Sequence, residues 1–263
     1  MAPALPPADL FSVAGRVACV TGASGGLGRA IATALAASGA RVVGLARRAD
    51  ALADWQAEAS MLGAPAGGDA RAVTADLSDP GAMAGVAARA SRPFGPPTIL
   101  VNAAGINTRE PADAVTAEGW KVTIDLNLAT PFFLAQALVT GMRAAGGGRI
   151  VNFASLQSTR AFPGGLAYGA SKGGITQLTR AMAEAWSGDG ITANALAPGF
   201  FPTELTGPVF ADAERAGRNA AQTCIGRNGT MADILGPALF LCSDASAYVT
   251  GQVLAVDGGF TAK

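Results

Sequence analysis

The stretch RVACVTGASGGLG, residues 16–28, joins a short apolar segment to a cluster of glycines. Residues 16–21 are apolar and partly β-branched, which predicts a strand buried on both faces. The Ala-rich residues 28–38 predict a helix closed by Gly39. Glycines let a backbone turn tightly and approach a ligand, and a helix N-terminus offers free N–H groups to an anion. The stretch therefore predicts a strand–turn–helix unit suited to holding a phosphate.

The glycine spacing is G-x-x-x-G-x-G over residues 22–28, and not the G-x-G-x-x-G of many dinucleotide sites. Such a turn is also compatible with a plain tight connection between a strand and a helix. Its place after the first strand favours a dinucleotide, because ligands of open α/β sheets bind outside the carboxyl ends of the strands.

Strand-like and helix-like segments alternate along the chain. Strands are predicted at 16–21, 41–46, 71–75, 98–103, 149–154, 191–196 and 252–256. Helices are predicted at 28–38, 51–62, 80–90, 117–145 with a break near Pro131, 168–187 and 231–242. This alternation implies βαβ crossovers, and so an α/β fold with a mainly parallel sheet covered by helices on both faces.

The composition changes nowhere enough to mark a second domain, so residues 1–263 are predicted to form one domain. A segment at about residues 199–229 is rich in Pro and Gly and follows a predicted strand. We expect it to act as a lid over the substrate.

The bulk composition excludes several classes of function. The 263 residues are 50% hydrophobic, which excludes a disordered chain. Lys+Arg and Asp+Glu both number 19, so no basic field favours nucleic acid or a membrane surface. Histidine is absent, and the three cysteines match no metal spacing. We expect no metal site and no disulfide framework.

The start of the chain, residues 1–9, is rich in Pro and Ala and does not resemble a signal peptide. No uninterrupted apolar run is expected to span a bilayer. These features predict a cytoplasmic protein.

The end of the second strand indicates which dinucleotide binds. An acidic residue there would bind the adenosine ribose and repel a 2′-phosphate. This chain instead has Arg47 and Arg48, and the first acid is Asp50. Arginine suits phosphate recognition, which favours NADP(H), although NAD(H) stays possible and both side chains are also compatible with solvated surface charges.

The segment Tyr168-Gly-Ala-Ser-Lys172 places a phenol and an ammonium four residues apart, on one face of a predicted helix. A fixed cation lowers the pKa of a nearby phenol, which could then exchange a proton with an alcohol or an alkoxide. Ser155 lies at the end of the fifth strand and could hold the substrate oxygen. A lone Tyr-x-x-x-Lys is common, so its combination with the glycine turn and Ser155 carries the hypothesis.

Together these residues resemble the short-chain dehydrogenase/reductase family over nearly the whole chain. The matching pieces are 21–28, Asp76-Leu77, Asn102-Ala-Ala-Gly105, Asn127 within Asp-Leu-Asn-Leu, Ser155, Tyr168 to Lys172, Asn194 with Pro198-Gly199, and Val256-Asp-Gly-Gly259. The resemblance implies a doubly wound Rossmann fold with seven parallel strands. It also implies a homotetramer in which the helices beginning near residues 117 and 168 pack on their copies.

The resemblance further implies roles for individual residues. Tyr168 would be the acid/base, Ser155 would position the substrate, Lys172 would bind the nicotinamide ribose, and Asn127 would hold a water. Asp76 would contact adenine, and Thr203 the nicotinamide carboxamide. The expected cofactor-binding set is Gly22, Ser24, Gly25, Gly26, Leu27, Gly28, Arg47, Arg48, Asp76, Leu77, Asn102, Ala103, Gly105, Tyr168, Lys172, Pro198, Gly199, Phe201 and Thr203. A purely structural role is an alternative for Asn102 and is favoured for Asn194 and Asp257.

The substrate is expected to be a small alcohol or ketone held by Ser155, Gln157, Tyr168 and Phe200. Gln157 and Arg160 are candidates for binding hydroxyls or a carboxylate, and both are equally compatible with solvated side chains. Within the family, the chain is similar to gluconate 5-dehydrogenase-like and polyol dehydrogenases, which favours a sugar acid or polyol. The alternatives are a 3-oxoacyl-thioester reductase and, in another class, a non-catalytic dinucleotide-binding regulator.

Overall fold

The structure, a computed structural model that describes residues 6–263, is built around one seven-stranded sheet. The strands are β1 (Val17–Thr21), β2 (Arg41–Ala46), β3 (Asp69–Thr74), β4 (Ile99–Asn102), β5 (Gly148–Phe153), β6 (Ile191–Pro198) and β7 (Val253–Val256). They pair in the order β3-β2-β1-β4-β5-β6-β7, and every pair is parallel. The chain changes direction across the sheet between β1 and β4, which confirms the doubly wound α/β fold and opens a crevice there.

Helices separate the strands, as the alternation predicted. They are α1 (Pro7–Leu10), α2 (Gly26–Ala37), α3 (Ala49–Gly63), α4 (Met83–Ala90), α5 (Ala117–Ile124), α6 (Thr130–Ala144), α7 (Leu166–Trp186), α8 (Gly207–Phe210), α9 (Ala213–Gln222) and α10 (Met231–Cys242). The short α8 and α9 lie inside the segment predicted to be a lid. Residues 1–5 lie outside the described part of the chain. The expectation that residues 1–9 are not a signal peptide therefore falls largely on residues that the structure does not describe.

The predicted break near Pro131 is wrong. A π-helical turn, Asp125–Ala129, joins α5 to α6, and the helix continues through Pro131. The wider turn accommodates a proline, which has no N–H to donate to the preceding turn. A π-turn inside a helix often marks a functional position, and this one carries Asn127.

The continuity of this helix bears on the expectation that no segment spans a membrane. The joined helix Ala117–Ala144 has 28 residues and is long and apolar enough, by length and composition alone, to cross a bilayer. Half of its most apolar window is buried within the fold, where the helix packs against α4, α7 and β5.

The strands alternate their side chains between two apolar layers. On one face Ala18 and Val20 of β1 pack with α2, α3 and α10. On the other face Cys19 packs with α4, α6 and α7. Since successive residues of a strand point to opposite faces, a strand covered on both sides is apolar throughout, as the segment 16–21 predicted. The sheet therefore has helices on both faces, and its carboxyl edge is left to form a site.

Candidate active site

A cleft of about 820 Å³ lies at the carboxyl ends of the strands, over the crevice between β1 and β4. Most of the residues predicted for the site line it. They are Gly22, Ser24, Gly25, Gly26, Leu27, Gly28, Arg47, Arg48, Asp76, Leu77, Ala103, Gly105, Ser155, Gln157, Tyr168, Lys172, Pro198, Gly199, Phe200, Phe201 and Thr203. Asn102 and Asn127 do not line the cleft. Residues far apart in sequence thus meet because parallel strands bring their carboxyl ends to one edge.

The glycine turn forms the floor of one half of the cleft. Gly22 has φ +73°, and a Cβ there would lie 3.1 Å from the backbone nitrogen of Ala104. A Cβ on Gly28 would lie 2.5 Å from the carbonyl oxygen of Gly22, so glycine lets α2 start directly on the turn. α2 begins at Gly26, two residues earlier than predicted. Its first N–H groups are therefore available to an anion in the cleft.

Two arginines stand beside the glycine turn at the end of β2. Arg48 forms a salt bridge of 2.8 Å with Glu204 of the segment 199–229, and donates hydrogen bonds to Ser24. Arg47 lies near Asp76, whose pKa is lowered by hydrogen bonds from Ser78 and, to a smaller degree, by the Arg47 charge. The turn, the end of β2 and the segment 199–229 thus form one charged corner of the cleft.

Ser155 is held by a short 3-10 turn that follows β5. Its Oγ accepts a hydrogen bond of 3.2 Å from the backbone N–H of Gln157. Ser158, at the end of the same turn, donates a hydrogen bond of 2.7 Å from its Oγ to the carbonyl of Lys172. This contact fixes the end of β5 against the first turns of α7, and so places Ser155 beside Tyr168.

Tyr168 and Lys172 lie on one face of α7, as their spacing predicted. The Lys172 Nζ is 5.6 Å from the centroid of the Tyr168 ring, and it donates a hydrogen bond of 2.6 Å to the carbonyl oxygen of Phe153. Lys172 is only 4% exposed, whereas Tyr168 is half-buried and lines the cleft. The phenol is therefore the group of the two that a substrate can reach.

Burial is the largest cause of the pKa shifts of this pair. Burial raises the pKa of Tyr168, while its hydrogen bond with Ser155 and the positive charge of Arg109 lower it by less. Burial also lowers the pKa of Lys172 to about 8. The net shift of the Tyr168 pKa is upward because desolvation of the phenolate outweighs the Ser155 hydrogen bond and the Arg109 charge, and the expectation that Lys172 makes the phenol more acidic stays a prediction.

Asn127 stands behind the catalytic face and not in the cleft. Its side-chain amide exchanges two hydrogen bonds with the backbone of Ile106, at 2.9 and 2.8 Å, and donates a third to Ser171. Asn127 therefore ties the π-turn to the loop after β4 and to α7. These hydrogen bonds do not test whether Asn127 holds a water, so that role of Asn127 stays a prediction.

Three polar residues of the family pattern have structural roles. Asn102 is buried and donates a hydrogen bond of 2.9 Å to Asn152, which supports the structural alternative, and its contact with the cofactor stays a prediction. Asn194 hydrogen-bonds the backbone just before β7. Asp257 caps its own turn. For Asn194 and Asp257 the looped backbone needs hydrogen-bond partners, and the side chain supplies them.

Phe200 belongs to an aromatic cluster at the substrate end of the cleft. Its ring centroid is 6.1 Å from Phe162 and 5.7 Å from Phe260. Arg160 stacks over Phe260 and donates to the carbonyl of Lys263. Arg160 does not line the cleft, which favours the alternative of a solvated side chain over binding to a hydroxyl or a carboxylate of the substrate. It instead supports the aromatic wall from behind.

Arg109 was not predicted from the sequence, yet it lines the cleft close enough to Tyr168 to affect the pKa of the phenol. Arg109 has φ +56°, an uncommon value for a residue with a side chain, and its guanidinium donates to the carbonyl of Leu205 in the segment 199–229. No periodic pattern marks the loop after β4. The available signal was a basic residue shortly after the carboxyl end of a central strand.

The arrangement combines a phosphate-binding turn with a reachable phenol, a neighbouring hydroxyl and a buried ammonium. It can bind a dinucleotide along the glycine turn and exchange a proton with an oxygen held at Ser155. This chemistry suits the interconversion of an alcohol and a carbonyl compound.

Comparisons with known proteins agree with this geometry. A family model described as enoyl-(acyl carrier protein) reductase matches residues 22–261. Gluconate 5-dehydrogenase from Gluconobacter oxydans (strain 621H) is 41% identical, over 96% of this chain and 97% of the relative. Galactitol 2-dehydrogenase (L-tagatose-forming) from Cereibacter sphaeroides is also 41% identical, over 96% and 97%.

A solved structure extends the likeness to three dimensions. The gluconate 5-dehydrogenase from Burkholderia cenocepacia J2315, in complex with NADP and tartrate, has a TM-score of 0.90 and 36% identity, covering 98% of this chain and 100% of that one. Fold, site and relatives lead to one conclusion: this chain belongs to the short-chain dehydrogenase/reductase family.

Proposed function

We propose that this protein is an NADP(H)-dependent oxidoreductase that interconverts a secondary alcohol and a ketone in a sugar acid or polyol. The observation that carries the proposal is the reachable Tyr168 phenol beside Ser155, in the same cleft as the glycine turn. The gluconate and galactitol dehydrogenases named above support the substrate class, because the likeness extends over almost the full length of each chain.

The cleft fits a dinucleotide. The free N–H groups at the start of α2 suit the pyrophosphate. Because Gly28 has no Cβ to collide with the carbonyl oxygen of Gly22, the helix begins directly at the turn that the pyrophosphate would contact. Arg47 and Arg48 would hold the 2′-phosphate of NADP, with Asp76 at the adenine and Thr203 at the carboxamide. The NADP complex of the Burkholderia relative supports this choice. When bound, the nicotinamide supplies the acceptor or donor of the hydride.

The protein supplies the proton chemistry. Ser155 holds the substrate oxygen and Tyr168 exchanges a proton with it: the O–H proton passes to the phenolate when the C–H hydride leaves, and returns in the reverse direction. Because the pKa of Tyr168 is raised, the phenol is protonated at neutral pH and is ready to reduce a ketone. We expect kcat/KM for alcohol oxidation to rise with pH, and kcat/KM for ketone reduction to fall.

Arg109 and Gln157 are the groups that we assign to the polar end of the substrate. Arg109 offers a positive charge beside Tyr168. The Oε1 of Gln157 is buried without a hydrogen-bond partner, although the residue lines the cleft. Together they suit a carboxylate and a neighbouring hydroxyl, which is the pattern of a sugar acid.

Tyr168→Phe tests the proposal directly. We expect this variant to lose about 10²- to 10⁴-fold in kcat on a panel of sugar acids and polyols, because the proton exchange is removed. The dissociation constant of NADP, measured by fluorescence titration, should change far less than kcat, because the other expected cofactor contacts remain. Equal turnover by wild type and variant would refute the assignment.

The same panel separates the alternatives. Turnover of 3-oxoacyl thioesters alone would favour a 3-oxoacyl-thioester reductase, an activity that one relative of the chain carries in its name. Binding of NADP without any turnover would favour a regulatory dinucleotide-binding protein.

We also propose that the protein acts as a homotetramer in the cytoplasm. Trp120 and Phe133, on α5 and α6, are 43% and 42% exposed, and Leu254 on the edge strand β7 is 38% exposed. Apolar side chains of this size on helix and edge-strand surfaces support contacts between copies. Light scattering on the purified protein would give the mass of the assembly.

A further inference from the structure

The lid helix α9 turns a polar face toward the substrate end of the cleft. Arg215, Arg218, Asn219 and Gln222 are spaced at i, i+3, i+4 and i+7, and all four line the cleft. A helix that only covered an apolar pocket would present an apolar stripe on this side. The polar face therefore needs a polar ligand or water as its partner.

Asn219 gives the second, independent observation. It is 9% exposed, and its Nδ2 has no hydrogen-bond partner among the described residues. A buried amide without a partner is costly, and such groups are rare in folded proteins. An acceptor oxygen on a bound molecule would satisfy it.

The charges of the cleft are unbalanced at this end. Its lining cations are Arg47, Arg48, Arg109, Lys172, Arg215 and Arg218, and its lining acids are Asp76 and Glu204. Both acids lie at the cofactor end, where Glu204 pairs with Arg48. Within residues 6–263 no carboxylate is in salt-bridge distance of Arg109 or Arg215.

Arg218 differs from Arg215 in having a partner. It pairs with Glu214 along the helix, and Glu214 does not line the cleft. Arg215 therefore provides the free positive charge of α9, with Asn219 one turn further along the same face.

We propose that the α9 face formed by Arg215, Arg218, Asn219 and Gln222 is a second anion subsite, and that the substrate carries two acidic groups. One group lies at Arg109 near the reacting carbon and the other, a carboxylate or a phosphate ester, lies at Arg215 and Asn219. This inference rests on the proposed function, since it names the class of sugar acid that the same site takes.

The test compares substrates that differ only in their second end. With NADP-saturated protein, kcat/KM is measured for gluconate, glucarate and 6-phosphogluconate, which have one acid, two carboxylates, and a carboxylate with a phosphate. We expect at least one of the two doubly charged compounds to exceed gluconate. Their relative values decide between a carboxylate and a phosphate.

Arg215→Gln should lower the ratio of kcat/KM for the preferred doubly charged compound to that for gluconate by about 10- to 100-fold, as expected for loss of a charge-assisted hydrogen bond. Arg92→Gln is the matched control, because Arg92 is exposed and lies outside the cleft. The rise in Tm that each compound causes in the NADP-bound protein gives a readout that does not depend on turnover.

Three results would overturn the inference. The first is a ratio unchanged in Arg215→Gln, and the second is a loss confined to the affinity for NADP, which would assign the face to the cofactor. The third is a kcat/KM for gluconate at least as high as that for both other compounds. Failure of the proposed function looks different, because then no compound is turned over and Tyr168→Phe has no effect. Turnover of gluconate equal to that of both other compounds would remove the second subsite alone.

Discussion

Replacing Lys172 by methionine tests whether Lys172 carries a buried positive charge that lowers the free energy of unfolding. Methionine keeps the length of the side chain and removes the ammonium. In the structure Lys172 is 4% exposed and has one hydrogen-bond partner, the carbonyl oxygen of Phe153. Burial lowers its pKa from the ordinary 10.5 to about 8.

The magnitude follows from linkage between protonation and folding. The difference between 10.5 and about 8 corresponds to about 3 kcal/mol at roughly 1.4 kcal/mol per pKa unit. Below pH 8 both folded and unfolded protein carry the charge, and the full penalty acts on the folded state. Between pH 8 and 10.5 the unfolded protein binds more protons, so the free energy of unfolding rises with pH. From pH 7 to pH 9.5 we expect a rise of about 2 kcal/mol.

The effect of Lys172 on the pH dependence of stability is isolated by the difference in the free energy of unfolding between wild type and Lys172→Met. Stability at pH 7 alone is a poor measure, because relief of the buried charge is opposed by the loss of a charged hydrogen bond worth about 1.5–3 kcal/mol. The way in which the difference between the two free energies of unfolding changes with pH is not affected by this compensation. Urea unfolding followed by tryptophan fluorescence at pH 7, 8, 8.7 and 9.5 supplies the measurement.

Lys121→Met is the matched control. Lys121 is exposed and paired with Asp125, which raises its pKa, so its removal should not produce a wild-type advantage that grows with pH. A flat difference between wild type and Lys172→Met across this range would show that Lys172 carries no desolvated charge. Activity should be lost in Lys172→Met at every pH, since a site that keeps a costly charge does so for its chemistry.

Three further outcomes are expected. Arg47→Asp should lower the ratio of kcat/KM with NADP to that with NAD by about 10- to 100-fold, because a carboxylate repels the 2′-phosphate; an unchanged ratio would contradict the cofactor assignment. Glu204→Gln should tighten NADP binding up to about fivefold in a fluorescence titration and leave NAD unchanged, since the exposed pair with Arg48 is worth at most about 1 kcal/mol. Gly44→Ala should lower the urea midpoint by the equivalent of about 1–3 kcal/mol, because its Cβ would lie 2.3 Å from the Trp55 ring; equal midpoints would refute the close packing.

The fold was largely predictable, because it rests on patterns that are local in sequence. The segment 16–21 is apolar on both faces and became β1, and the spacing of Tyr168 and Lys172 placed both on one face of α7. The break expected near Pro131 was the main error. A π-turn depends on how the surrounding helices pack, and a sequence period of 3.6 residues does not reveal it.

The site was predictable in its motifs and less so in its charged side chains. Arg109 and Arg160 are both exposed arginines in loops, yet the first faces the cleft and the second supports the aromatic wall. Asn102 matched the family pattern and proved to be a buried partner of Asn152. The direction in which a loop side chain points depends on contacts with segments far away in sequence.

The amino-acid sequence by itself determined the alternating sheet, the glycine turn and the spacing of the phenol and the ammonium, since these follow from local periodicity and from the backbone freedom of glycine. Only the tertiary structure decided the raised pKa of Tyr168, the lowered pKa of Lys172 and the cationic face of α9. Desolvation and unpaired charge are properties of the assembled surroundings, because they depend on which distant groups and how much water lie within a few ångströms.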